Sequence, residues 1–320
     1  MNRGQLGAGP FVVLLVLLLA GTPAQAFEAG VLDSVVSVLP LWPGHGQGGQ
    51  PGAPPGKEPE GTAVAIRAGG YLVTALHIVA KAEAITVRLA DGRLRPAELL
   101  GRDQATDLAV LKIADDLPVP RFGPEPALGA PVCAVGNQFG LDLSVTCGVV
   151  SGLRRSGIGF NPVEDFIQTD AAVNPGASGG ALVDGQGRLV GLLSAIFTKE
   201  ADANIGVNFA VSLAMVRRVA DDLIDLGRVA RAAPGMALEE LSETARRTKA
   251  GVRVAGLLPG GAAERAGIAV GDVITALAGR PVRKVSAALA ALNLHRPGET
   301  LEVALLRDGT PRTLALTLPR

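Results

Sequence analysis

The feature that most constrains the fold is a long series of short β-type runs between residues 62 and 210, separated by turn residues. The runs include TAVAIRAGGYLVTA, DLAVLKI, SVTCGVVSG and GVNFAV, and the turns include ADGR and DGQGR. Frequent short strands with such turns predict an all-β barrel or sandwich. Only 3% of residues are aromatic, so the core must be built from Val, Leu, Ile and Ala, which suits β-sheet layers.

After these strands the sequence pattern changes twice. Residues 212–229 switch to helical spacing, and the apolar face of this predicted helix consists of Met215, Val219, Leu223 and Leu226. Residues 234–320 then mix strand patterns with short helical segments, which is typical of a small α+β domain. A chain of 320 residues is long enough for two domains, so the helix is interpreted as the connector between them.

The first 26 residues have the form of a secretory signal peptide. Arg3 precedes an apolar run over residues 11–20, and AQA at 24–26 has the small-x-small pattern of a cleavage site. The run is shorter than the roughly 20 residues that span a bilayer, which favours cleavage before Phe27 over an uncleaved membrane anchor. The mature protein is therefore expected in an oxidising compartment.

Charge and low-complexity composition exclude some functions. Thirty basic residues balance thirty acidic ones and no basic block stands out, so nucleic acid is not an expected partner. Residues 43–61 are rich in Pro and Gly and cannot build a packed core, so they are interpreted as a flexible surface loop.

The chain has two cysteines, Cys133 and Cys147, in two short β-type runs separated by a turn. Antiparallel pairing of the runs would bring the thiols together, and a disulfide would stabilise the fold by about 3 kcal/mol in the chain-entropy model. The alternative is a pair of buried free thiols. A metal site is not expected, because two cysteines without a nearby histidine lack ligands.

The heptapeptide NPGASGG at 174–180 places three glycines around Ser178. Gly179 and Gly180 allow a sharp turn that exposes the serine hydroxyl, and Gly176 allows unusual backbone conformations before it. The N–H groups of Gly176 and Ser178 could then converge as an oxyanion hole, in which one donor contributes about 2.7–4 kcal/mol. The alternative is an ordinary Gly-rich turn.

A catalytic serine needs a base, and the chain has three histidines. His45 lies in the Pro/Gly-rich stretch and His295 in the small second domain, whereas His77 follows an apolar strand that could fix its ring. Asp107 enters another apolar strand, where a carboxylate needs a partner, and is the candidate for orienting the imidazole. Asp103, in the more polar GRDQ, is expected to be solvated.

These motifs together resemble those of the HtrA/Deg family of trypsin-like serine proteases. The matching stretches are YLVTALHIV, GRDQATDLAVLKI, VCAVGNQFGL and FIQTDAAVNPGASGGALVDGQGRLVGLLSAI, followed by a tail similar to a PDZ domain. The resemblance implies a mainly β chain, with a signal peptide at 1–26, a chymotrypsin-like double β-barrel protease domain at 27–229 and a small α+β PDZ domain at 230–320.

By the same resemblance, His77 is the general base, Asp107 its orienting acid and Ser178 the nucleophile. The family implies a periplasmic serine endopeptidase that cleaves unfolded or misfolded proteins without ATP or another cofactor, often as a homotrimer. Contact with a membrane is expected only if the signal segment stays uncleaved. The rival interpretation is a catalytically silent module that binds unfolded segments.

The resemblance also predicts two peptide-binding regions. One is the strand that would bind the substrate, together with the loop that follows it, and its apolar residues favour small aliphatic substrate side chains. The alternative is that this strand is only part of the barrel. The candidate residues are Leu192, Leu193, Ser194, Ala195, Ile196 and Ile205. A PDZ groove for an extended peptide is predicted along an exposed strand edge opposite a helix at 285–294, and its candidates are Gly235, Met236, Ala237 and Leu238. Pro234, where the family usually has leucine, weakens the case for carboxylate capture, and a docking domain without a free ligand is the alternative.

Within the protease part, two residues and one short segment depart from the family pattern. The family usually has asparagine before the serine and proline after the two glycines, whereas this chain has Ala177 and Ala181. Ala177 lacks an amide that could tether the oxyanion loop, which predicts a hole that is incompletely formed at rest. The usual glycine-serine-glycine before the histidine hairpin is GTAV at 61–64.

Overall fold

The structure is a computed structural model that describes residues 28–43, 60–196 and 205–320. The predicted signal peptide, residues 44–59 of the Pro/Gly-rich stretch and the loop at 197–204 lie outside the described residues. Within the described ranges, no helix has both the length and the apolar character needed to cross a bilayer.

The first part of the chain forms a closed barrel of six antiparallel strands in the order β1-β2-β3-β6-β5-β4. Its strands are β1 (Val35–Leu41), β2 (Gly61–Arg67), β3 (Tyr71–Ala75), β4 (Ala84–Arg88), β5 (Leu94–Asp103) and β6 (Leu108–Lys112). A four-residue helix, α1 (Leu76–Val79), follows β3, and a short 3-10 helix (Ala29–Ser34) precedes β1. Closure leaves no open sheet edge in this barrel.

The second part repeats the architecture, with a closed barrel in the order β10-β11-β12-β9-β8-β7. Its strands are β7 (Pro131–Gly136), β8 (Ser144–Arg155), β9 (Phe166–Thr169), β10 (Ala181–Asp184), β11 (Leu189–Ile196) and β12 (Asn208–Ser212). A 3-10 turn (Gln138–Gly140) lies between β7 and β8. The mainly β fold class predicted from the sequence is confirmed.

The two barrels share one apolar cluster, and each barrel also has a separate cluster of its own. A single cluster of buried side chains draws on both barrels and on the following helix; its members include Val64, Leu108, Val135, Leu192 and Val219. Aliphatic side chains from alternate positions of the strands fill this core, as the low aromatic content predicts. Loops of the two barrels meet at a junction, called the cleft, where the Thr62 N–H of the first barrel donates to the Ser178 carbonyl of the second at 2.9 Å.

The helix α2 (Leu213–Leu226) follows the second barrel. The Ser212 hydroxyl caps its start by accepting a 3.3 Å hydrogen bond from the Met215 N–H, and Gly227 ends it with φ +67°. Three of the four residues predicted on its apolar face are buried, whereas Leu226, in the last turn, is exposed. The helix packs across strands of both barrels.

The C-terminal part is a sheet in the order β13-β14-β15-β17-β18, with β16 paired to β15. Its strands are β13 (Met236–Glu240), β14 (Val252–Leu257), β15 (Val273–Leu277), β16 (Arg280–Pro281), β17 (Thr300–Arg307) and β18 (Thr310–Thr317). Its helices are α3 (Glu243–Arg246), α4 (Ala262–Arg265) and α5 (Val285–Asn293). The sheet has its own apolar core, as the α+β prediction requires.

Ion pairs join this C-terminal part to the barrels and to α2. Three buried aspartates of the barrels and α2 accept hydrogen bonds from arginines that follow α2 in the sequence. The pairs are Asp103–Arg231, Asp165–Arg280 and Asp222–Arg296. Burial alone would raise the pKa of Asp222, but hydrogen bonds from the Ala230 N–H, Arg218 and Arg296 outweigh it and hold that pKa below its ordinary value. These carboxylates fix how the C-terminal part meets the barrels.

Candidate active site

His77 and Asp107 lie at the ends of neighbouring strands of the first barrel. His77 is the second residue of α1, whose other residues are buried, so its side chain is left 47% exposed at the barrel junction. Asp107 ends the four-residue turn that joins β5 to β6 and has φ +58°, a left-handed conformation that aspartate adopts more readily than most residues. Because β3 pairs with β6, the two side chains are brought together.

Three hydrogen bonds hold this pair. The His77 Nδ1 and the Asp107 Oδ2 are 2.6 Å apart, and the His77 backbone N–H donates to the Asp107 Oδ1 at 2.9 Å. The Leu76 N–H donates to the Asp107 carbonyl at 2.8 Å. With Nδ1 facing a carboxylate, Nε2 is the ring nitrogen that is left to act as the acceptor, as a general base requires.

Ser178 lies in a loop of the second barrel, between two glycines in the left-handed region. Gly176 has φ +93° and Gly179 has φ +83°. A Cβ at Gly179 would come within 2.0 Å of the Thr62 carbonyl oxygen, and one at Gly176 within 2.2 Å of the Asn137 carbonyl oxygen. Both glycines are therefore required by conformation and by close packing.

Five consecutive carbonyl groups of this loop, those of residues 174–178, accept hydrogen bonds. The Asn174 carbonyl accepts from the Ala177 N–H, that of Pro175 from the Phe139 N–H, and that of Gly176 from the Thr62 hydroxyl. The Ala177 carbonyl accepts from the Gly180 N–H, and that of Ser178 from the Thr62 N–H. In contrast, the N–H groups of Gly176 and Ser178 donate to no other residue in the described part of the chain. The loop thus keeps two amide donors next to the serine hydroxyl.

The hydroxyl of Ser178 donates to the Ser194 carbonyl at 3.3 Å. Ser194 lies where the pairing of β11 with β12 shifts register, between Leu193 and Ala195. Such a bulge redirects the backbone groups of the residue that it displaces. Among the described residues, no hydrogen bond joins His77 to Ser178.

The other predicted substrate residues differ in exposure. Leu192 and Leu193 are fully buried in the barrel cores, and Ser194 is 5% exposed. The backbone of Ala195 and Ile196 continues β11, and Ile205 is 63% exposed. In this structure the strand therefore presents its backbone, rather than its leucine side chains, to the serine loop.

A disulfide joins Cys133 to Cys147 across the β7–β8 hairpin, where the two residues face each other in register. The turn of this hairpin carries Asn137 and Phe139, whose amides contact Thr62 and the serine loop. Within the described ranges, no group of three or more His, Cys, Asp or Glu residues is arranged to hold a metal ion.

The predicted PDZ groove residues lie at one edge of the C-terminal sheet. β13 pairs only with β14 within the described residues, so its other edge is unpaired. Gly235 has φ +78°, and its carbonyl accepts from the Leu258 N–H at 2.8 Å. The Glu240 Oε1 accepts from the Val285 N–H at the start of α5, which fixes this helix beside the strand.

Sequence reasoning missed two residues of the site. Asp103 is not solvated but 7% exposed, because Arg231 and the Thr106 hydroxyl both donate to its carboxylate. Thr62 was noted only as a departure from a pattern, yet it makes hydrogen bonds to the serine loop through its amide and its hydroxyl. Thr62 lies 114 residues before Gly176 in the sequence, so no local signal predicts these contacts.

Comparison with protein families and structures gives several matches. A model described as a trypsin-like peptidase domain matches residues 61–192, and a PDZ domain model matches residues 229–318. Among solved structures, "HtrA-type protease AlgW with tripeptide" has 34% sequence identity and a TM-score of 0.70, and the match covers 91% of this chain and 95% of that chain.

Among curated proteins, "Periplasmic serine endoprotease DegP" of Escherichia coli (strain K12) is 40% identical over 286 residues, which cover 85% of this chain and 60% of that protein. "Periplasmic pH-dependent serine endoprotease DegQ" of the same organism is 35% identical over 268 residues, which cover 81% of this chain and 59% of that protein. The chain therefore spans about 60% of the length of these relatives.

Proposed function

Since this chain belongs to the HtrA family of serine proteases, we propose that it is a serine endopeptidase of the periplasm that cleaves unfolded or misfolded proteins without ATP. The observation that carries the proposal is the cleft between the barrels. A hydrogen-bonded His77–Asp107 pair comes from one barrel, and Ser178, flanked by two amides that donate to no other described residue, comes from the other.

In the proposed reaction, the Nε2 of His77 takes the proton of the Ser178 hydroxyl as Oγ attacks the scissile carbonyl carbon. The tetrahedral intermediate collapses when His77 gives that proton to the leaving amine, and an acyl-enzyme remains on Oγ. Water, deprotonated by His77, then releases the new carboxylate and restores the hydroxyl. Before attack, the hydroxyl must give up its hydrogen bond to the Ser194 carbonyl and donate to the imidazole instead.

Asp107 keeps the imidazole in the required tautomer. Its Oδ2 accepts from Nδ1–H, which leaves Nε2 free of a proton and able to act as the base. Its Oδ1 is held by the His77 N–H, so the carboxylate cannot rotate without breaking a second bond. The same carboxylate stabilises the positive charge that the ring gains during attack.

The amides of Gly176 and Ser178 are the proposed oxyanion hole. They bind negative charge that appears only in the transition state. Each amide would therefore lower the activation free energy by about 2.7–4 kcal/mol and would add little to substrate affinity. The carbonyls of residues 174–178 are all engaged elsewhere, so these peptide groups are held with their N–H groups available.

Two further parts of the proposal concern the bound polypeptide. The substrate is expected to extend along β11, next to Ser194, with a small aliphatic side chain before the cleaved bond. The unpaired edge of β13, with α5 beside it, is expected to accept a second extended peptide by strand addition. A homotrimer is expected from the family resemblance.

Export to the periplasm is supported by the predicted signal peptide and by the names of the two bacterial relatives. The disulfide between Cys133 and Cys147 is compatible with such an oxidising compartment.

Cleavage of unfolded casein by the purified protein tests the proposal, with Ser178→Ala as the matched control. We expect the wild-type protein to be at least about 10⁴-fold faster than the variant, since loss of a triad nucleophile removes most of the rate enhancement. Equal and negligible cleavage by both proteins would instead support a binding module without catalysis. Thermal unfolding of both proteins shows whether the comparison is between folded molecules.

A further inference from the structure

The carbonyl of Gly176 is held differently from its neighbours in the serine loop. The carbonyls of Pro175, Ala177 and Ser178 accept from backbone amides, whereas that of Gly176 accepts from the Thr62 hydroxyl at 2.7 Å. Thr62 lies on β2, in the other barrel, 114 residues earlier in the chain. The peptide group between the two proposed oxyanion amides is therefore held at its carbonyl by a side chain of the first barrel, and at its N–H by a 3.1 Å hydrogen bond to the Asn174 carbonyl in the same loop.

This peptide group controls the direction of both amides. Its carbonyl belongs to Gly176 and its N–H to Ala177, and the peptide planes on either side carry the free N–H groups of Gly176 and Ser178. Rotation of this peptide changes ψ of Gly176 and φ of Ala177, and glycine, which has no Cβ, restricts its own torsions less than other residues do. Because both torsions lie between the two free amides, rotation would change the direction of one amide relative to the other. The bond from Thr62 opposes that rotation.

The Thr62 hydroxyl can serve only as the donor toward Gly176. It accepts from the Asn137 N–H at 2.9 Å, and an amide N–H cannot accept in return. Its single proton is therefore free for an acceptor, and the Gly176 carbonyl is the acceptor within reach. The direction of the bond follows from the donor chemistry of its partners.

Thr62 is itself held rigidly. It is fully buried, its carbonyl accepts from the Thr74 hydroxyl at 2.7 Å, and its N–H donates to the Ser178 carbonyl at 2.9 Å. Asn137, which donates to the hydroxyl, is tied in turn to Glu60 by a 2.6 Å hydrogen bond from its side chain. A hydroxyl held in this way can fix the position of a flexible loop.

Within the loop, the Asn174 amide is engaged with the Gln138 Oε1 at 2.6 Å, and Ala177 has no polar side-chain atom. Ala177 ends at Cβ and is fully buried against Gly136, where an added Cβ would come within 3.0 Å of the Ala177 Cα. We propose that Thr62 is a positioning residue for the oxyanion loop, which holds the Gly176–Ala177 peptide so that the amides of Gly176 and Ser178 point into the cleft. The inference rests on the proposed function and assigns to the first barrel a part in forming the oxyanion hole.

The test compares Thr62→Val, which removes the hydroxyl but keeps the shape, with Thr62→Ser, which keeps the hydroxyl. Thr169→Val is the matched control, because Thr169 is also fully buried and its hydroxyl also donates to a carbonyl and accepts from an amide, those of Val149 and Ala171. The measurements are kcat and KM on a short peptide, the rate of Ser178 labelling by a fluorophosphonate, and the unfolding temperature.

We expect Thr62→Val to lower kcat and the labelling rate by the same factor, about tenfold or more, because misdirected oxyanion donors weaken transition-state binding. KM should change less than about twofold, since these donors do not bind the ground state. Thr62→Ser should recover most of the rate, and Thr169→Val should lose stability while it retains kcat.

Several results would overturn the proposal. They are an unchanged kcat in Thr62→Val, equal loss in Thr62→Ser and Thr62→Val, or equal loss in Thr62→Val and Thr169→Val. If Thr62→Val does not fold, Thr62→Ser and Thr62→Ala carry the test, because they differ only in the hydroxyl oxygen. An inactive wild-type protein that matches Ser178→Ala would count against the proposed function, whereas an active wild-type protein with a fully active Thr62→Val would count against this inference alone.

Discussion

The two sides of the cleft are assembled to different degrees. On the side of the first barrel, His77 and Asp107 are joined through ring and backbone by bonds of 2.6 and 2.9 Å. On the side of the second barrel, the Ser178 hydroxyl donates to the Ser194 carbonyl at 3.3 Å, and two amides beside it have no described partner. The base and its acid are thus fixed by the fold, whereas the nucleophile side keeps groups available for a substrate.

The difference follows from how the chain supplies each side. The acid–base pair belongs to neighbouring strands, so pairing of β3 with β6 alone brings it together. The nucleophile loop depends on β2, on the β7–β8 turn and on β11, which are distant in sequence. If this contrast governs activity, changes to the two sides of the cleft should have different effects.

The largest effect is expected from removing either side of the triad. Ser178→Ala and His77→Ala should each lower kcat by about 10⁶-fold, and the double variant should be no slower, because the residues act as one unit. Steady-state kinetics on a peptide measures this. His295→Gln, in the C-terminal part, is the control and should keep its activity. Additive losses in the double variant would show that the two sides act independently.

The next largest effect is expected from Asp107, and it distinguishes the role of this residue from that of Asp103, four residues earlier. Asp107→Asn should lower kcat by about 10⁴-fold with little change in stability, because the imidazole would be held in the wrong tautomer. Asp103→Asn should instead lower the free energy of unfolding by about 1–3 kcal/mol, because Arg231 would lose its charged partner. Peptide kinetics and urea unfolding distinguish the two. A reversed pattern would mean that the acid has been assigned to the wrong residue.

A smaller effect is expected from reducing the disulfide between Cys133 and Cys147. Its sequence separation of 14 residues corresponds to a loss of about 3 kcal/mol in the chain-entropy model. Because this hairpin carries the Asn137 and Phe139 contacts to the serine loop, labelling of Ser178 should slow. Hydrogen exchange at the Leu76 and His77 amides, which report on Asp107, should stay unchanged. If reduction changed the labelling rate and these exchange rates equally, the two sides of the cleft would not differ in how they are held.

The smallest effect concerns the missing asparagine. Ala177→Asn restores the residue usual in the family, but Ala177 is fully buried against Gly136. We expect a loss of about 1–3 kcal/mol from overpacking and no gain in kcat, measured by urea unfolding and peptide kinetics. A faster variant would instead support the expectation that, without this amide, the oxyanion hole is incompletely formed at rest.

The fold class could be read from the sequence because its signals are local. Short strands with Gly-containing turns predicted a mainly β chain, and helical spacing predicted the helix that became α2. The triad candidates could be named for a similar reason, since each lies in a short motif next to an apolar strand. The structure has His77 and Asp107 hydrogen-bonded, and their roles stay predictions for the kinetic tests above.

The contacts that sequence reasoning missed are long-range. Asp103 looked solvated in the polar segment GRDQ, but its partner Arg231 lies 128 residues away. Thr62 and Gly176 are similarly separated by 114 residues. The β-type run LLSAI also gave no sign that Leu192 and Leu193 are both fully buried. Burial on the two faces of a strand depends on whether a second layer covers the outer face, and the run itself does not contain that information.

The most direct test is a crystal structure of the protein with a peptidyl phosphonate bonded to the Ser178 Oγ. We expect the His77 Nε2 within hydrogen-bonding distance of that oxygen, at about 2.6–3.2 Å. We also expect the phosphonyl oxygen about 2.7–3.1 Å from the amides of both Gly176 and Ser178. An imidazole out of reach of Oγ, or a phosphonyl oxygen directed away from both amides, would contradict the proposed catalytic site.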